Sequence, residues 1–239
     1  MHRRIRPLAV LAATLPLIAA GTLTASDAAV ATGDRAPRPE NGYTLLFVRH
    51  AATDYSPPEE ELNAEGIEQA AALAEALHDE PIDAVYTSMM VRAFQTGDDV
   101  AADHDLPLIA DAGISEVGFD VEAFPEDVNP QLYLYEILTK WLNGVDRDQG
   151  FGGESYDEVA ARWGEWWASV VAEHRNDRGT GVVVAHGAVL GLMLPATCAT
   201  PVPAEFALRH PLPNTGIIEA RLERNGTLTC LTWDGTPLP

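Results

Sequence analysis

Four side chains spread along this sequence have the chemistry to hold a phosphate group and attack it: Arg49, His50, Arg92 and His186. A guanidinium fork matches phosphate oxygens in bidentate geometry, and a neutral imidazole is a competent nucleophile. Two nearby cations disfavour protonation of His50 and keep its attacking nitrogen free, while the arginines and a protonated His186 share the charge of the phosphoryl group. In-line attack would leave phosphorus on His50, and the departing alkoxide would still need a proton. Glu116 is the first candidate donor, later acting as base for the hydrolytic water; Asp120 and Glu122 are neighbours able to serve instead. A lone histidine after a strand is more often structural, so the argument rests on the four groups together. Two histidines also suggest a metal, but no His/Asp/Glu spacing of ligand type accompanies them and adjacent arginines would repel a cation, so no metal or other cofactor is expected.

The elements around these residues explain how they would meet. Residues 44–48 are apolar, too short for a helix and without polar alternation, which is how a strand buried on both faces of a parallel sheet reads. Residues 181–185 form a second such run. Arg49 and His50 follow the first run and His186 the second, at the carboxyl ends where open α/β sheets bind ligands. Asn63 caps a helix over 64–78, with Ile67, Ala70, Ala71, Ala74 and Leu77 as the apolar face. A strand over 82–86 leads to a helix over about 89–104 with Arg92 in its first turns, where a helix N-terminus favours anions. A third strand spans 106–110. Residues 111–153 break the rhythm with an acidic, proline-punctuated stretch and a helix near 130–142, which reads as a cap-like insertion over the strand ends. Ser155 and Glu158 form a capping box for a helix over 156–174, whose Val159, Trp163, Trp166 and Val170 make a buried stripe. Residues 215–222 and 227–233, joined at Asn225-Gly226, read as a hairpin closing the sheet. The expected fold is therefore α/β, three layers around a mostly parallel central sheet.

Composition narrows the partners. The chain has 239 residues, 46% of them hydrophobic, enough for one well-buried domain, and its formal charge of -21 (36 acidic against 15 basic residues) disfavours nucleic acid and anionic membranes. Residues 1–31 carry Arg3, Arg4 and Arg6, then an apolar stretch over 8–20 broken by Pro16 and a small-residue site at Ala29-Val30-Ala31. That pattern is a cleaved secretory signal, too short for a stable membrane anchor, and implies a secreted or extracytoplasmic protein. Residues 32–41, rich in Pro and charge, read as a disordered leader, and 42–239 as the folded domain. Cys198 and Cys230 are the only cysteines: an even count in an exported protein permits a disulfide, and two separate buried thiols are the alternative.

The fragments Arg49-His50-Ala51-Ala52-Thr53, Leu62-Asn63-Ala64-Glu65-Gly66 with Gln69-Ala70, Thr87-Ser88 with Arg92-Ala93-Phe94-Gln95-Thr96, Ile114-Ser115-Glu116, Gly153-Glu154-Ser155 and Val184-Ala185-His186-Gly187 occur in one order from about Tyr43 to the C-terminus. In that order and spacing the chain resembles the histidine phosphatase superfamily, in its phosphoglycerate-mutase-like branch. The resemblance implies that His50 carries the phosphoryl group, that Arg49, Arg92 and His186 hold it with Thr53, Ser56 and Gly187 among its contacts, and that Glu116 donates the proton. Two positions depart from the pattern. Ala51 stands where relatives have glycine, adding a methyl beside the phosphate, and Ser56 stands where many carry asparagine, shortening the reach of one hydrogen bond. The activity expected is hydrolysis of a small phosphate ester. A phosphoglycerate-type mutase, or a phospho-ligand-binding protein whose site has drifted, are the alternatives.

Overall fold

The computed structural model describes residues 42–54, 60–120, 123–200 and 202–238. The signal and leader expected over 1–41, together with Ser56 and Glu122, lie outside them.

Seven strands form one mixed sheet in the order β3-β2-β4-β1-β5-β6-β7. The strands are β1 (Tyr43–Arg49), β2 (Ile82–Thr87), β3 (Leu108–Ala110), β4 (Thr180–Ala185), β5 (Ile217–Leu222), β6 (Leu228–Trp233) and β7 (Thr236–Pro237). β3, β2, β4 and β1 run parallel, and β5, β6 and β7 extend the sheet antiparallel beyond β1. The parallel part follows from its connections, since each crossover carries a helix. The antiparallel part follows from the tight Asn225-Gly226 turn, where Gly226 takes a φ of 86°.

The central strands are buried on both faces and feed two cores. Leu45, Phe47, Tyr86, Val183 and Ala185 face one side, with Val159, Trp163, Trp166 and Val170 of α4 (Tyr156–His174) and Leu190, Met193 and Leu194 of α5 (Gly187–Thr197). Leu46, Val48, Val85, Val182 and Val184 face the other, against α1 (Ala64–Leu77) and α2 (Val91–Asp103). This alternation is the period of two of a strand whose faces are both covered. The capping box of α4 forms as read: Ser155 Oγ accepts from Glu158 N, and Glu158 returns to Ser155 N. Among the described residues no helix is long and apolar enough to cross a membrane.

The structure differs from the sequence reading in three places. On α1 the buried residues are Gly66, Ala70, Leu73, Ala74 and Leu77, while Ile67 is 59% exposed. Gly66 sets this rotation, because its backbone packs so close to Ala52 O that a Cβ would come within 2.0 Å. A short helix, α6 (Ala204–Arg209), follows Pro203, and a small edge strand, β7, ends the sheet; neither has enough periodic sequence to be read. The insertion contains α3 (Pro130–Leu142), which packs on α5 and α6, and its rings Phe119, Phe124, Tyr133, Trp141 and Phe151 join the main core.

Cys198 and Cys230 are bridged, tying the end of α5 to β6 across a sequence separation of 32. A loop of that length implies a stabilisation of about 3.5 kcal/mol on chain-entropy grounds. Reduction is therefore expected to lower Tm by roughly 10 °C, measured by calorimetry with and without reductant. An unchanged Tm in verified free-thiol protein would contradict it.

Candidate active site

The parallel register brings the predicted residues together. Arg49 of β1 pairs with Ala185 of β4, and Thr87 of β2 pairs with Val184, so the three strands end at one level. The next residues, His50, Ser88 and His186, leave the sheet side by side. His50 N bonds Ala185 O at 2.9 Å and Ser88 N bonds Val184 O at 3.1 Å, which carries the ladder one step into the site. The two imidazole centroids lie 5.1 Å apart, and both rings are buried.

Ala51 fixes the tautomer of His50. His50 Nδ1 donates to Ala51 O at 2.8 Å, leaving Nε2 as the lone pair, and Arg92 Nε donates to that nitrogen at 3.2 Å. The nitrogen equipped to attack therefore faces the guanidinium that would hold the phosphate. Ser88 Oγ accepts from Met90 N at 3.2 Å and sits 2.7 Å from His186 Nε2. The other ring nitrogen, His186 Nδ1, is buried with no protein partner among the described residues. A buried polar atom left unpaired costs about 1–3 kcal/mol, which a ligand would recover.

Burial pushes the His50 imidazole down to about 4; the Ala51 carbonyl opposes this, and the Arg92 and Arg49 charges add to it. His186 is also driven well below its usual range, first by burial and then by His50, Arg92, Arg162 and Arg49. Both shifts favour neutral rings while no anion is bound, because desolvation penalises the charged form and the neighbouring guanidiniums add to that penalty. The sign for stability follows. A histidine whose folded value lies below its ordinary 6.5 contributes fully above pH 6.5, and that contribution is lost as pH falls toward about 4. For His50 the loss amounts to about 3 kcal/mol at pH 4. Urea unfolding between pH 7 and pH 4 is expected to show a shallower decline in His50→Asn than in wild type, and parallel declines would refute it.

Arg92 is nearly buried and fully engaged: besides His50 it reaches Met90 Sδ at 3.4 Å and Glu60 Oε2 at 2.5 Å. Arg49 Nη1 donates to Leu212 O at 2.8 Å, and Gly187 lies against the same guanidinium, its Cβ position 3.5 Å from Arg49 Nε. Thr53 is buried with its hydroxyl unpartnered among the described residues, and Ala51 is fully buried. Ser56 is outside the described residues.

Glu116 is brought to the same rim, through α5. Its Oε2 accepts from Ala188 N at 3.1 Å and its Oε1 from Val189 N at 2.9 Å and Val117 N at 2.9 Å, so the carboxyl group covers the start of the helix that His186 caps. A helix N-terminus attracts a carboxylate in this way. Asp120, by contrast, is exposed.

Several residues that sequence reasoning left without a role frame the site. Thr96 Oγ1 accepts from Ala51 N at 2.9 Å, Gln69 Oε1 from Ala52 N at 2.9 Å and Gln95 Oε1 from Leu62 N at 2.8 Å, holding the loop after His50 from two helices. Asn214 Nδ2 donates to His50 O at 2.7 Å. The glutamines and Thr96 stood inside quoted motif fragments, so a signal existed for them. Asn214 stood in no quoted fragment, and only the fold brings it to His50. Trp163 and Trp166 are buried as read, and His78 and His210 are exposed and stand outside the site.

The chain matches the histidine phosphatase superfamily (branch 1) over residues 45–234. Phosphoserine phosphatase 1 of Hydrogenobacter thermophilus is 27% identical, over 59% of this chain and 70% of that protein. Among solved structures, a mycobacterial glucosyl-3-phosphoglycerate phosphatase superposes with a TM-score of 0.64 at 22% identity, covering 81% of this chain and 99% of that one. A phosphoglycerate mutase from Bacillus anthracis gives 0.62 at 16% identity, covering 81% and 93%. These likenesses show a phosphoglycerate-mutase-like α/β fold. With its match across most of its length, this chain belongs to the histidine phosphatase superfamily.

Proposed function

We propose that this protein is an exported phosphomonoesterase that hydrolyses small phosphate esters through a phosphohistidine on His50, without a metal ion. The observation that carries the reading is the orientation of His50: Nδ1–H is held by Ala51 O, and the Nε2 lone pair points to the Arg92 guanidinium at 3.2 Å. Arg92, Arg49 and His186, whose Nδ1 is unpartnered among the described residues and in this reading carries the hydrogen, supply donors for the phosphoryl oxygens. Nε2 attacks phosphorus in line, the P–O bond to the leaving group breaks, and Glu116 gives that oxygen its proton. The positive charge on the phosphorylated ring is then stabilised by Ala51 O. Water next attacks phosphorus while the Glu116 carboxylate takes its proton, releasing phosphate and restoring neutral His50. The arginines do the charge neutralisation that a cation does elsewhere. The Cys198–Cys230 bridge supports an oxidising destination.

The decisive experiment is a rapid quench with 32P-labelled substrate. Acid-labile label on the peptide containing His50 is the expected result, and label elsewhere, or none during turnover, rules the mechanism out. Turnover in EDTA is expected to match turnover without it. Phosphoserine and glucosyl-3-phosphoglycerate, for which the relatives are named, open the substrate panel; 3-phosphoglycerate with its bisphosphate tests for isomer formation. Protein recovered from culture medium should begin near residue 32.

A further inference from the structure

The segment that carries Glu116 has no regular structure beyond one 3₁₀ turn, Ala112–Ile114, yet it is fastened at both ends by one side chain of α4. Arg162 Nη1 donates to Gly113 O at 2.8 Å and Ala112 O at 3.4 Å, and Nη2 donates to Glu116 O at 3.2 Å. Its remaining donors go to Glu154: Nε to Oε1 at 2.8 Å and Nη2 to Oε2 at 3.0 Å. Glu154 Oε2 also accepts from Gly118 N at 2.8 Å. The pair therefore grips the backbone on either side of Glu116 as well as at Glu116 itself. Two glycines let the chains come this close, since a Cβ on Gly153 would stand 1.8 Å from Gly118 O and one on Gly113 would stand 2.6 Å from Trp166 Cβ. α4 itself is held by Val159, Trp163, Trp166 and Val170 in the core, so Arg162 links a rigid element to an irregular one.

We propose that Arg162, with Glu154 as its counter-ion, is the positioning residue for the general acid: it fixes the main chain of Glu116 so that the carboxyl group stands over the start of α5, two residues beyond His186. The inference rests on the reading of Glu116 as proton donor. A flat fork with five N–H donors spans three carbonyls and a carboxylate at once, which a point charge on a flexible stem does not do. A displacement of about 1 Å in such a group costs about a hundredfold in rate.

The test uses kcat/KM, which reads the steps up to phosphorylation of His50, over phosphate monoesters of graded leaving group: 2,4-dinitrophenyl, p-nitrophenyl, phenyl and a simple alkyl. A leaving group as acidic as dinitrophenol departs without a proton, whereas an alkoxide needs one. Arg162→Gln and Glu154→Gln are expected to stay within about threefold of wild type on the dinitrophenyl ester and to lose about a hundredfold on the alkyl ester. Glu116→Gln provides the reference with the same steep dependence. Glu154→Gln keeps the side-chain shape and an acceptor for Gly118, so it carries the test should Arg162→Gln fold poorly by thermal unfolding. Arg162→Lys is expected to behave like the glutamine variant, and full activity in it would overturn the fork argument. Equal losses on every ester in the Arg162 and Glu154 variants, beside a steep Glu116→Gln, would make the pair mere structural support and overturn the inference while sparing the acid. A flat Glu116→Gln would instead remove the assignment of the acid, and the positioning role with it.

Discussion

Replacing His50 with alanine is expected to reduce turnover of p-nitrophenyl phosphate by at least about four orders of magnitude while leaving phosphate affinity within a few fold of wild type. The split follows from what His50 does in the site. Its Nε2 supplies the only attacking lone pair in the proposed route, so nothing takes over bond formation when it is gone. The groups that would hold the phosphoryl oxygens are separate: Arg92 stands on α2, Arg49 ends β1, and His186 stands at the N-cap of α5, its Nδ1 without a partner among the described residues. Removing one imidazole leaves that frame standing, and Arg92 Nε, released from His50, gains a donor for the ligand. Kinetics on p-nitrophenyl phosphate and calorimetric titration of inorganic phosphate read the two halves. Wild-type rates in the variant would show that catalysis proceeds elsewhere in the molecule. A parallel collapse of phosphate affinity would mean that His50 binds rather than attacks.

Arg92→Lys is the second large effect, with an expected loss of about 10²–10³ in kcat/KM. The substitution keeps the charge, so any loss measures geometry. Arg92 uses its planar head in three directions at once, with Nε on His50 Nε2, Nη1 on Glu60 and Nη2 on Met90 Sδ. An ammonium carries three donors on one atom and cannot set the His50 lone pair while also spanning a phosphate edge. Lysine in this position also leaves the Glu60 carboxylate beside a mobile, strongly hydrated charge, which favours an internal ion pair over the incoming anion. Loss in both kcat and affinity for inorganic phosphate is expected. Activity within threefold of wild type would show that only net charge matters there, and the bidentate argument would fall.

The sequence alone was informative where chemistry is local. Buried strands are recognised by short apolar runs, one followed by Arg49 and His50 and the other by His186, so the positions of both histidines at strand ends were readable without coordinates. Asn63 as a cap and the Ser155–Glu158 box were equally readable, because a cap depends on residues within one turn of each other. The apolar face of α1 was misplaced for a nonlocal reason: Gly66 meets the carbonyl of Ala52, and that contact rotates the helix away from burying Ile67.

Long-range pairings needed the folded chain. Residue types permitted a disulfide between Cys198 and Cys230, but only the approach of α5 to β6 brings their Cα atoms to 5.6 Å. The depth at which His186 sits, which lowers its pKa while no anion is bound, is likewise a property of the packed chain, since a sequence gives the charges nearby but not their burial. The tautomer of His50 is decided by Ala51 O, His186 Nε2 meets Ser88 Oγ, and the site of Glu116 is set by amides of a helix more than seventy positions further on. A side chain's type and its immediate neighbours are written in the order of residues; the burial, hydrogen-bond partners and distances that set its reactivity arise only when distant segments are packed together.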